Sequence, residues 1–446
     1  MIVARLSQLF EEVGPQEQNG FRHNRGTIDG LFEVIMALNK RQEHNHPSWV
    51  LFIDLVKAFD TVNHEALFII LRRYGVPDHF VNLVIRLHDK ASMSFTHGGV
   101  QSNVDVTIGV RQGSCEGPVL FLFMMLAAME TLTWPSSITK PVFACELQKE
   151  VTSCKKKSPK ITGQVSKRRS NHFDFWHSLF ADDCCLLFVN REDLIAGTEE
   201  IYKHLAKFGL LMHVGRGNTR SKTEAMYIPS KGHPNGDTSK YMVDGDGFVE
   251  FTDEFKYLGT MVNSTLSMSS EITTSRIRKA STAFGALSKI FKDKDITLTV
   301  KGQVYSVLIV TILLYGCEVW NLRADDEDRL KKFHRRCIRS ILNTTPLKMK
   351  WQKIRTSKDQ ETILGVNCIV DTYRWRLLKW AGHVARMPTT NLQWRMMTCC
   401  VHGARPHGRP LMKWGHAVHR ALRAREISTE FHVWSALAQD VVTWTK

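Results

Sequence analysis

The first half of the chain alternates between helical and extended patterns of apolar residues. After Thr27, which can cap a helix, apolar residues recur at the spacing of one helix face: Ile28, Leu31, Phe32, Ile35 and Met36. The segment "SWVLFID" from Ser48 is continuously apolar and ends in Asp54. Such a run predicts a short buried strand with a carboxylate at its end.

Two more helices and a hairpin are predicted after this strand. Asn63 is placed to cap a helix that stops at Gly75, and another helix follows Pro77. The segment "MSFTHGGVQSNVDVTIG" alternates around a Gly-Gly turn, which is typical of a hairpin. A Gly-rich loop, "GVRQGSCEGP", then precedes a helix with Pro118 in its first turn.

The pattern weakens over about residues 134–172, which contain the basic run "CKKKSPKITGQVSKRRSN". This composition predicts a surface insertion. Apolar patterns resume with "HSLFADDCCLLFVN", a helix over about 191–208, and the strand-like segments "KTEAMYI" and "FKYLGTMV". From Glu271 onward the chain is mostly helical and basic in pattern. The sequence therefore predicts an α+β region to about residue 265, followed by a helical region.

Composition points to a polyanionic partner. The 446-residue chain carries 60 Lys and Arg against 44 Asp and Glu, a formal net charge of +16, which favours nucleic acid over a membrane surface. Ten cysteines without a CxxC pair, and no N-terminal signal pattern, indicate a reduced intracellular protein, nuclear or cytoplasmic and not secreted. The longest apolar runs, from Val119 and Val304, are shorter than the roughly 20 residues that span a bilayer.

Two adjacent carboxylates, Asp182 and Asp183, interrupt an apolar stretch in "HSLFADDCCLLFV". Burying unpaired carboxylates is costly, so a turn, a cation or a metal must compensate. If "HSLF" and "CCLLFV" form a hairpin beside the strand of Asp54, three carboxylates converge. Hard oxygen ligands favour Mg²⁺ or Mn²⁺, and two such ions can activate a hydroxyl and stabilise leaving pyrophosphate. An Asp pair in an ordinary structural turn is the alternative that these residues leave open.

Three ordered motifs together resemble the reverse transcriptases of non-LTR (LINE-type) retrotransposons: "FIDLVKAFDTVNHEAL", "GVRQGSCEGPVLF" and "FADD". Further segments are similar to motifs of the same elements: "QNGFRHNRGT", "KTEAMY", "FKYLGTMV", "LLYGCEVW", "KWAGHVARM" and "GRPLMKW". The resemblance implies an RNA-directed DNA polymerase with an α+β right-hand fold. It implies partial fingers over 1–48, a palm over 49–265 with fingers elements and the basic insertion, a helical thumb over 266–345 and a basic C-terminal region over 346–446.

The resemblance also implies catalytic roles. Asp54, Asp182 and Asp183 match the metal-binding triad, with two Mg²⁺ (or Mn²⁺) ions as cofactors. Lys222 matches a lysine near the leaving pyrophosphate, where it could act as a general acid; a surface lysine is the alternative. Phe59 stands where a bulky ring would clash with a ribose 2′-OH and select deoxynucleotides; a core phenylalanine is the alternative.

Other residues would bind an RNA template, a DNA primer and deoxynucleoside triphosphates. The residues expected to contact nucleotide or template are Arg22, Arg25, Phe59, Gln112, Gly113, Phe180 and Ala181. Arg forks suit phosphate oxygens, although isolated arginines are often only surface charge. The expected primer grip comprises Tyr257, Leu258 and Gly259.

Two departures accompany the resemblance. Ser114-Cys115-Glu116-Gly117 stand where many relatives carry Cys-Pro-Leu-Ser. Elements of this type usually carry an endonuclease domain in front, so we expect an N-terminally truncated chain with incomplete fingers. Two other functions stay open. One is an RNA-directed RNA polymerase, which Phe59 and Ala181 oppose. The other is a catalytically inactive retrotransposon-derived protein that binds nucleic acid.

Overall fold

The chain forms two compact units in a computed structural model that describes residues 2–89, 91–111, 113–146, 170–344, 356–402 and 413–445. The first unit comprises Met1–Val34, Asn45–Phe143 and Phe173–Leu258. The second comprises Ile35–His44, Ala144–His172 and Gly259–Lys446. Every residue expected to take part in catalysis belongs to the first unit.

Twelve strands lie in the described residues: β1 Ser48–Ile53, β2 Ser92–His97, β3 Val100–Asp105, β4 Val142–Glu146, β5 Ser170–Asp174, β6 His177–Phe180, β7 Asp183–Phe188, β8 Glu224–Ile228, β9 Tyr241–Asp244, β10 Gly247–Phe251, β11 Glu254–Tyr257 and β12 Thr260–Asn263. Six of them form the main sheet of the first unit in the order β6-β7-β1-β8-β10-β9. Neighbouring strands are antiparallel except β8 and β10. All six residues of β1 are buried, because this strand is apolar on both faces and sits inside the sheet.

Six helices begin in the first unit: α1 Ile2–Val13, α2 Thr27–Glu43, α3 His64–Arg73, α4 Asp78–His88, α5 Gly117–Glu130 and α6 Arg191–Lys207. Helix α5 is apolar on all sides, and every residue from Val119 to Met129 is buried in the core. Asn63 caps α3 by accepting the Ala66 N–H, and Gly75 follows that helix with φ 84°. The predicted β1 strand, the α3 cap and the helix after Pro77 are thus confirmed.

The segment before α5 matches its prediction, and the segment after α5 differs from it. The β2–β3 hairpin turns at Gly98 and Gly99 as expected. The surface insertion expected over about 134–172, however, contains β4 near its start and β5 at its end. Phe143 is fully buried, with its ring centroid 5.8 Å from that of Phe173. These strands are short and flank a long polar run, so the apolar pattern did not reveal them. Residues 147–169 lie outside the described part of the chain.

The second unit is mainly helical, which confirms the prediction for the chain after Glu271. Its helices are α7 Arg278–Ala286, α8 Ser288–Lys292, α9 Leu298–Val304, α10 Thr311–Leu313, α11 Ala324–Ile341, α12 Ser357–Leu364, α13 Ile369–Ala385, α14 Leu392–Thr398, α15 Trp414–Arg423, α16 Phe431–Gln439 and α17 Val441–Thr445. Glu271–Ile277 and Tyr305–Val310 are π-helical, and Cys317–Val319 is a 3₁₀ turn. Among the described helices, none has the length and apolar character that crossing a membrane requires.

Candidate active site

Asp54 lies at one edge of the main sheet, directly after β1. In the antiparallel pair of β1 and β7, Ile53 is opposite Cys184. In the pair of β1 and β8, Phe52 is opposite Glu224. Continuing both registers places Asp54 beside Asp183 on one side and Lys222 on the other. Three side chains that are distant in sequence therefore meet at a single edge of the sheet.

The FADD segment is the tip of a hairpin, as predicted. Strands β6 and β7 pair with Phe180 opposite Asp183, which leaves Ala181 and Asp182 as the turn. Ala181 has a φ of 55° and is 3% exposed. The turn is one residue tighter than expected, because Asp183 already belongs to β7. This geometry places the neighbouring carboxylates at the hairpin tip, beside the end of β1.

The hairpin tip is electrostatically strained. Burial raises the pKa of Asp182, and the negative charge of Asp54 raises it further. The pKa of Asp183 is raised to about 6 by partial burial and by the charges of Asp182 and Asp54. The Asp183 side chain still reaches solvent, so burial alone does not account for the shift and the repulsion between the carboxylates contributes to it. A cation at this edge of the sheet would relieve that repulsion.

Asp54, Asp182 and Asp183 have the right chemistry for a hard divalent cation, but they do not form a closed coordination site. Three carboxylates supply the oxygen ligands that Mg²⁺ and Mn²⁺ prefer. In the part of the chain that the structure describes, no group of three or more His, Cys, Asp or Glu side chains is gathered closely enough to hold a metal ion. The three carboxylates are still close enough for the charge of Asp54 to raise the pKa of Asp182 and of Asp183. Metal binding by them remains a prediction.

Lys222 is the cation that the structure brings to Asp54. Its Nζ atom lies 3.9 Å from Asp54 Oδ2, and both side chains are substantially exposed. The neighbouring Thr223 was missed as a site residue, although it stands in the same "KTEAMY" motif. The Asp54 N–H donates to Thr223 Oγ1 at 3.2 Å, and the His213 N–H donates to the Asp54 carbonyl at 2.8 Å. These bonds fix the backbone that carries the Asp54 carboxylate.

A groove of about 600 Å³ opens beside Asp54. Its lining combines the basic side chains of Arg220, Lys222 and Lys256 with the ring of Phe255 and the carboxylates of Asp54, Glu224 and Glu254. Its volume suits a small polar ligand of nucleotide size. Positive charge and an aromatic face are the groups that contact phosphates and bases, although Arg220 is already paired with Glu224 at 3.3 Å.

Phe59 lies on the turn after Asp54 and is half-buried. Its ring stacks on Phe121 of α5 at a centroid distance of 4.7 Å, while its carbonyl accepts the Val110 N–H at 2.8 Å. This second bond attaches the Gly-rich loop to the Asp54 turn. Gly113 in that loop has a φ of 86°, which explains the need for glycine. Gln112 lies outside the described residues.

The predicted phosphate contact of Arg22 does not fit its burial. The Arg22 side chain is 3% exposed and forms an ion pair with Glu11 of α1 at 2.9 Å. Its guanidinium also lies over the Phe10 ring. A buried guanidinium must have its donors paired, and Glu11 of α1 and the carbonyls of Pro15 and Gln18 are those partners. Arg25 is partly buried and donates to the side chain and carbonyl of Gln16.

Two residues of the predicted primer grip, Tyr257 and Leu258, are buried. Tyr257 is 2% exposed, and its ring centroid lies 5.6 Å from that of Phe52. Leu258 is 7% exposed with a φ of 45°. Both side chains pack in the first unit rather than offering a free surface, whereas Gly259 belongs to the second unit. The ring of Phe180 is partly buried beside that of exposed Phe21, at 6.5 Å.

A family model described as reverse transcriptase (RNA-dependent DNA polymerase) matches residues 1–262, more than half of the chain. This match covers the whole candidate site, from the segment before α2 to the strand after Tyr257. The mixed α+β architecture of the first unit agrees with it.

Two curated relatives are named as RNA-directed DNA polymerases, and a third is named as a transposon-derived protein. The RNA-directed DNA polymerase of transposon X-element from Drosophila melanogaster is 22% identical over 73% of this chain and 32% of the relative. That of mobile element jockey from the same species is 22% identical over 70% and 30%. A transposon-derived protein of Caenorhabditis elegans is 24% identical over 59% of this chain and 92% of the relative. This chain thus spans about a third of the two Drosophila polymerases.

Proposed function

Because this chain belongs to the reverse transcriptase (RNA-dependent DNA polymerase) family, we propose that it is the RNA-directed DNA polymerase of a LINE-like, non-LTR retrotransposon. It extends a DNA primer on an RNA template with deoxynucleoside triphosphates. The observation that carries this proposal is the meeting of Asp54, Asp183 and Lys222 at one edge of the sheet. The same proposal places the protein inside the cell, with its template.

The proposed chemistry is two-metal nucleotidyl transfer. Two Mg²⁺ (or Mn²⁺) ions, when bound, would activate the primer 3′-hydroxyl and neutralise the leaving pyrophosphate. Asp54, Asp182 and Asp183 would hold them. Partial burial and the charges of Asp182 and Asp54 raise the pKa of Asp183 to about 6. The repulsive part of this shift supports the assignment, because it favours a cation between the strand end and the hairpin tip.

Lys222 and Phe59 would act on the incoming nucleotide. The ammonium of Lys222, 3.9 Å from Asp54, can deliver a proton to the pyrophosphate or hold the Asp54 carboxylate in place. Phe59 shares the turn that follows Asp54, so its ring can limit the space available to a 2′-hydroxyl. Lys256 in the neighbouring groove would attract phosphate.

Primer extension on an RNA template, with Mg²⁺ or Mn²⁺, tests the proposal. We expect the wild-type chain to incorporate deoxynucleotides and Asp182→Ala to lose at least about a thousandfold in rate, because metal ligands act as a unit. Asp105→Asn, at the exposed end of β3, is the matched control and should keep its activity. Equal background signals from wild type and Asp182→Ala would leave an inactive nucleic-acid-binding protein as the function.

A further inference from the structure

We propose that Gln18 is a positioning residue for the FADD hairpin. Its side-chain carbonyl fixes the turn at Ala181 and thereby sets the position of the Asp182 and Asp183 carboxylates. This inference rests on the proposed function for its catalytic consequence, although the geometry stands without it. Gln18 lies in the "QNGFR" segment, where the motif had pointed only to the arginines.

The turn at Ala181 leaves a buried donor that the hairpin ladder does not use. Ala181 is the first turn residue, and its N–H donates to Gln18 Oε1 at 2.9 Å. The Gly20 N–H donates to the same oxygen at 2.8 Å. Because both partners are donors, the carbonyl end of the amide must face them. Gln18 itself is 2% exposed, so water cannot readily replace it.

The backbone around Gln18 is attached to the same hairpin. The Asn19 N–H donates to the Leu179 carbonyl at 2.8 Å, and the Leu179 N–H donates to the Glu17 carbonyl at 2.9 Å. Residues 17–19 therefore run as a short parallel edge along β6. A Cβ atom on Gly20 would lie 2.4 Å from the Ala181 nitrogen, so glycine is required for this close approach.

Glu33 of α2 connects residues 17–19 to β6 through hydrogen bonds. The Glu33 side chain, at the buried face of α2, is fully inaccessible to solvent. It accepts both contacts of Asn19 Nδ2, at 3.0 and 2.9 Å, and the Ser178 hydroxyl at 2.9 Å. One buried carboxylate thus accepts hydrogen bonds from Asn19, next to Gln18, and from Ser178 in β6, before the turn at Ala181. Gln18, Asn19, Glu33 and Ser178 thus form a hydrogen-bonded network around the turn. A buried polar network whose groups are paired specifies one geometry.

The consequence concerns the carboxylates that follow the turn. Ala181 has a positive φ, which is strained for a residue with a side chain and persists only when its surroundings enforce it. Removing the acceptor frees the turn and lets Asp182 and Asp183 shift. Displacements on the order of 1 Å in a reacting site have large kinetic effects. Replacing Gln18 should therefore change cation binding by Asp182 and Asp183. Gln18 itself does not contact substrate.

Gln18→Met tests this role, since it keeps the shape and removes the acceptor. We expect hydrogen–deuterium exchange in the peptide spanning residues 177–184 to gain an amide that exchanges at least about tenfold faster. We also expect the Mg²⁺ concentration for half-maximal primer extension to rise about fivefold, with most activity recovered at saturating Mg²⁺. Gln101→Met, on the exposed strand β3, should change neither quantity.

A merely structural role gives a different result. Simple destabilisation would lower the active fraction equally at every Mg²⁺ concentration, and wild-type exchange with wild-type Mg²⁺ dependence in folded Gln18→Met would overturn the proposal. If Gln18→Met does not fold, Gln18→Asn, which places the acceptor out of reach, is measured instead. Loss of folding in both would assign Gln18 to stability and reject positioning. An inactive wild type would contradict the proposed function. The exchange measurement would still test whether Gln18 holds the turn at Ala181.

Discussion

The two sides of the candidate active site carry their charge differently. Asp54, at the end of β1, is 41% exposed and has Lys222 at 3.9 Å. Asp182 and Asp183 sit at the hairpin tip, where burial and like charge raise the pKa of each. Within the described residues, no basic side chain pairs with either of them. The strand end is thus already balanced by a cation, whereas the hairpin tip holds uncompensated negative charge that a divalent ion would stabilise.

Replacing Lys222 removes the balance at the strand end. We expect Lys222→Ala to reduce the rate of nucleotide incorporation about a hundredfold, the usual contribution of a positioned general acid. It should also lower the Mg²⁺ concentration needed for half-maximal activity, because Asp54 loses its competing cation. Single-turnover extension at several Mg²⁺ concentrations measures both effects. Lys207→Ala, at the exposed end of α6, is the control.

Lys222→Arg separates the two roles of this side chain. Arginine can keep an ion pair with Asp54 but cannot donate a proton at neutral pH. If Lys222 acts as a general acid, the arginine variant stays as slow as alanine and loses the basic limb of the pH profile. Full rescue by arginine would assign Lys222 to holding Asp54 alone.

Phe59 allows a test of selectivity on the Asp54 side. We expect Phe59→Ala to weaken discrimination against ribonucleotides by about tenfold, because the space above the turn becomes larger. Incorporation of ribonucleotide and deoxynucleotide on the same template gives the ratio. Phe68→Ala, a partly buried phenylalanine on α3, is the matched control for lost packing. An unchanged ratio with similar destabilisation in both variants would make Phe59 a core residue.

The hairpin tip predicts a small dependence of stability on pH. The folded pKa of Asp183, about 6, lies above the ordinary value of 3.8, so the folded chain binds a proton more tightly than the unfolded chain. Its contribution to the free energy of unfolding therefore falls as pH rises from about 4 to 6. The effect should be below about 1 kcal/mol because the side chain reaches solvent.

Urea denaturation in a metal chelator at pH 4 and 7 measures this contribution. Asp183→Asn should have a smaller loss of stability between the two values than wild type, whereas Asp105→Asn should match wild type. A steeper loss in Asp183→Asn would mean that Asp183 is stabilised in its charged form, which would contradict the repulsion at the tip.

The sequence predicted the local features of the site better than the long-range contacts that hold the site in place. The apolar run before Asp54, the hairpin around Asp182 and the Lys-Thr motif each carry a recognisable local pattern, and the sheet brings them together. The phosphate contact predicted for Arg22 does not fit its burial, because its partner, Glu11, lies on a helix whose position no local pattern reveals. Gln18 escaped notice for the same reason, since its role depends on a contact with Ala181, 163 residues away. Burial of Tyr257 likewise results from packing against a distant strand.

The central claim is that the strand end and the hairpin tip form one catalytic centre. Single-turnover incorporation of a deoxynucleotide on an RNA template, compared between wild type, Asp54→Asn and Asp183→Asn, tests it most directly. We predict activity in wild type and a loss of at least about a thousandfold in each variant, with folding retained. An active wild type with substantial activity in either variant would contradict a single centre shared by the two sides.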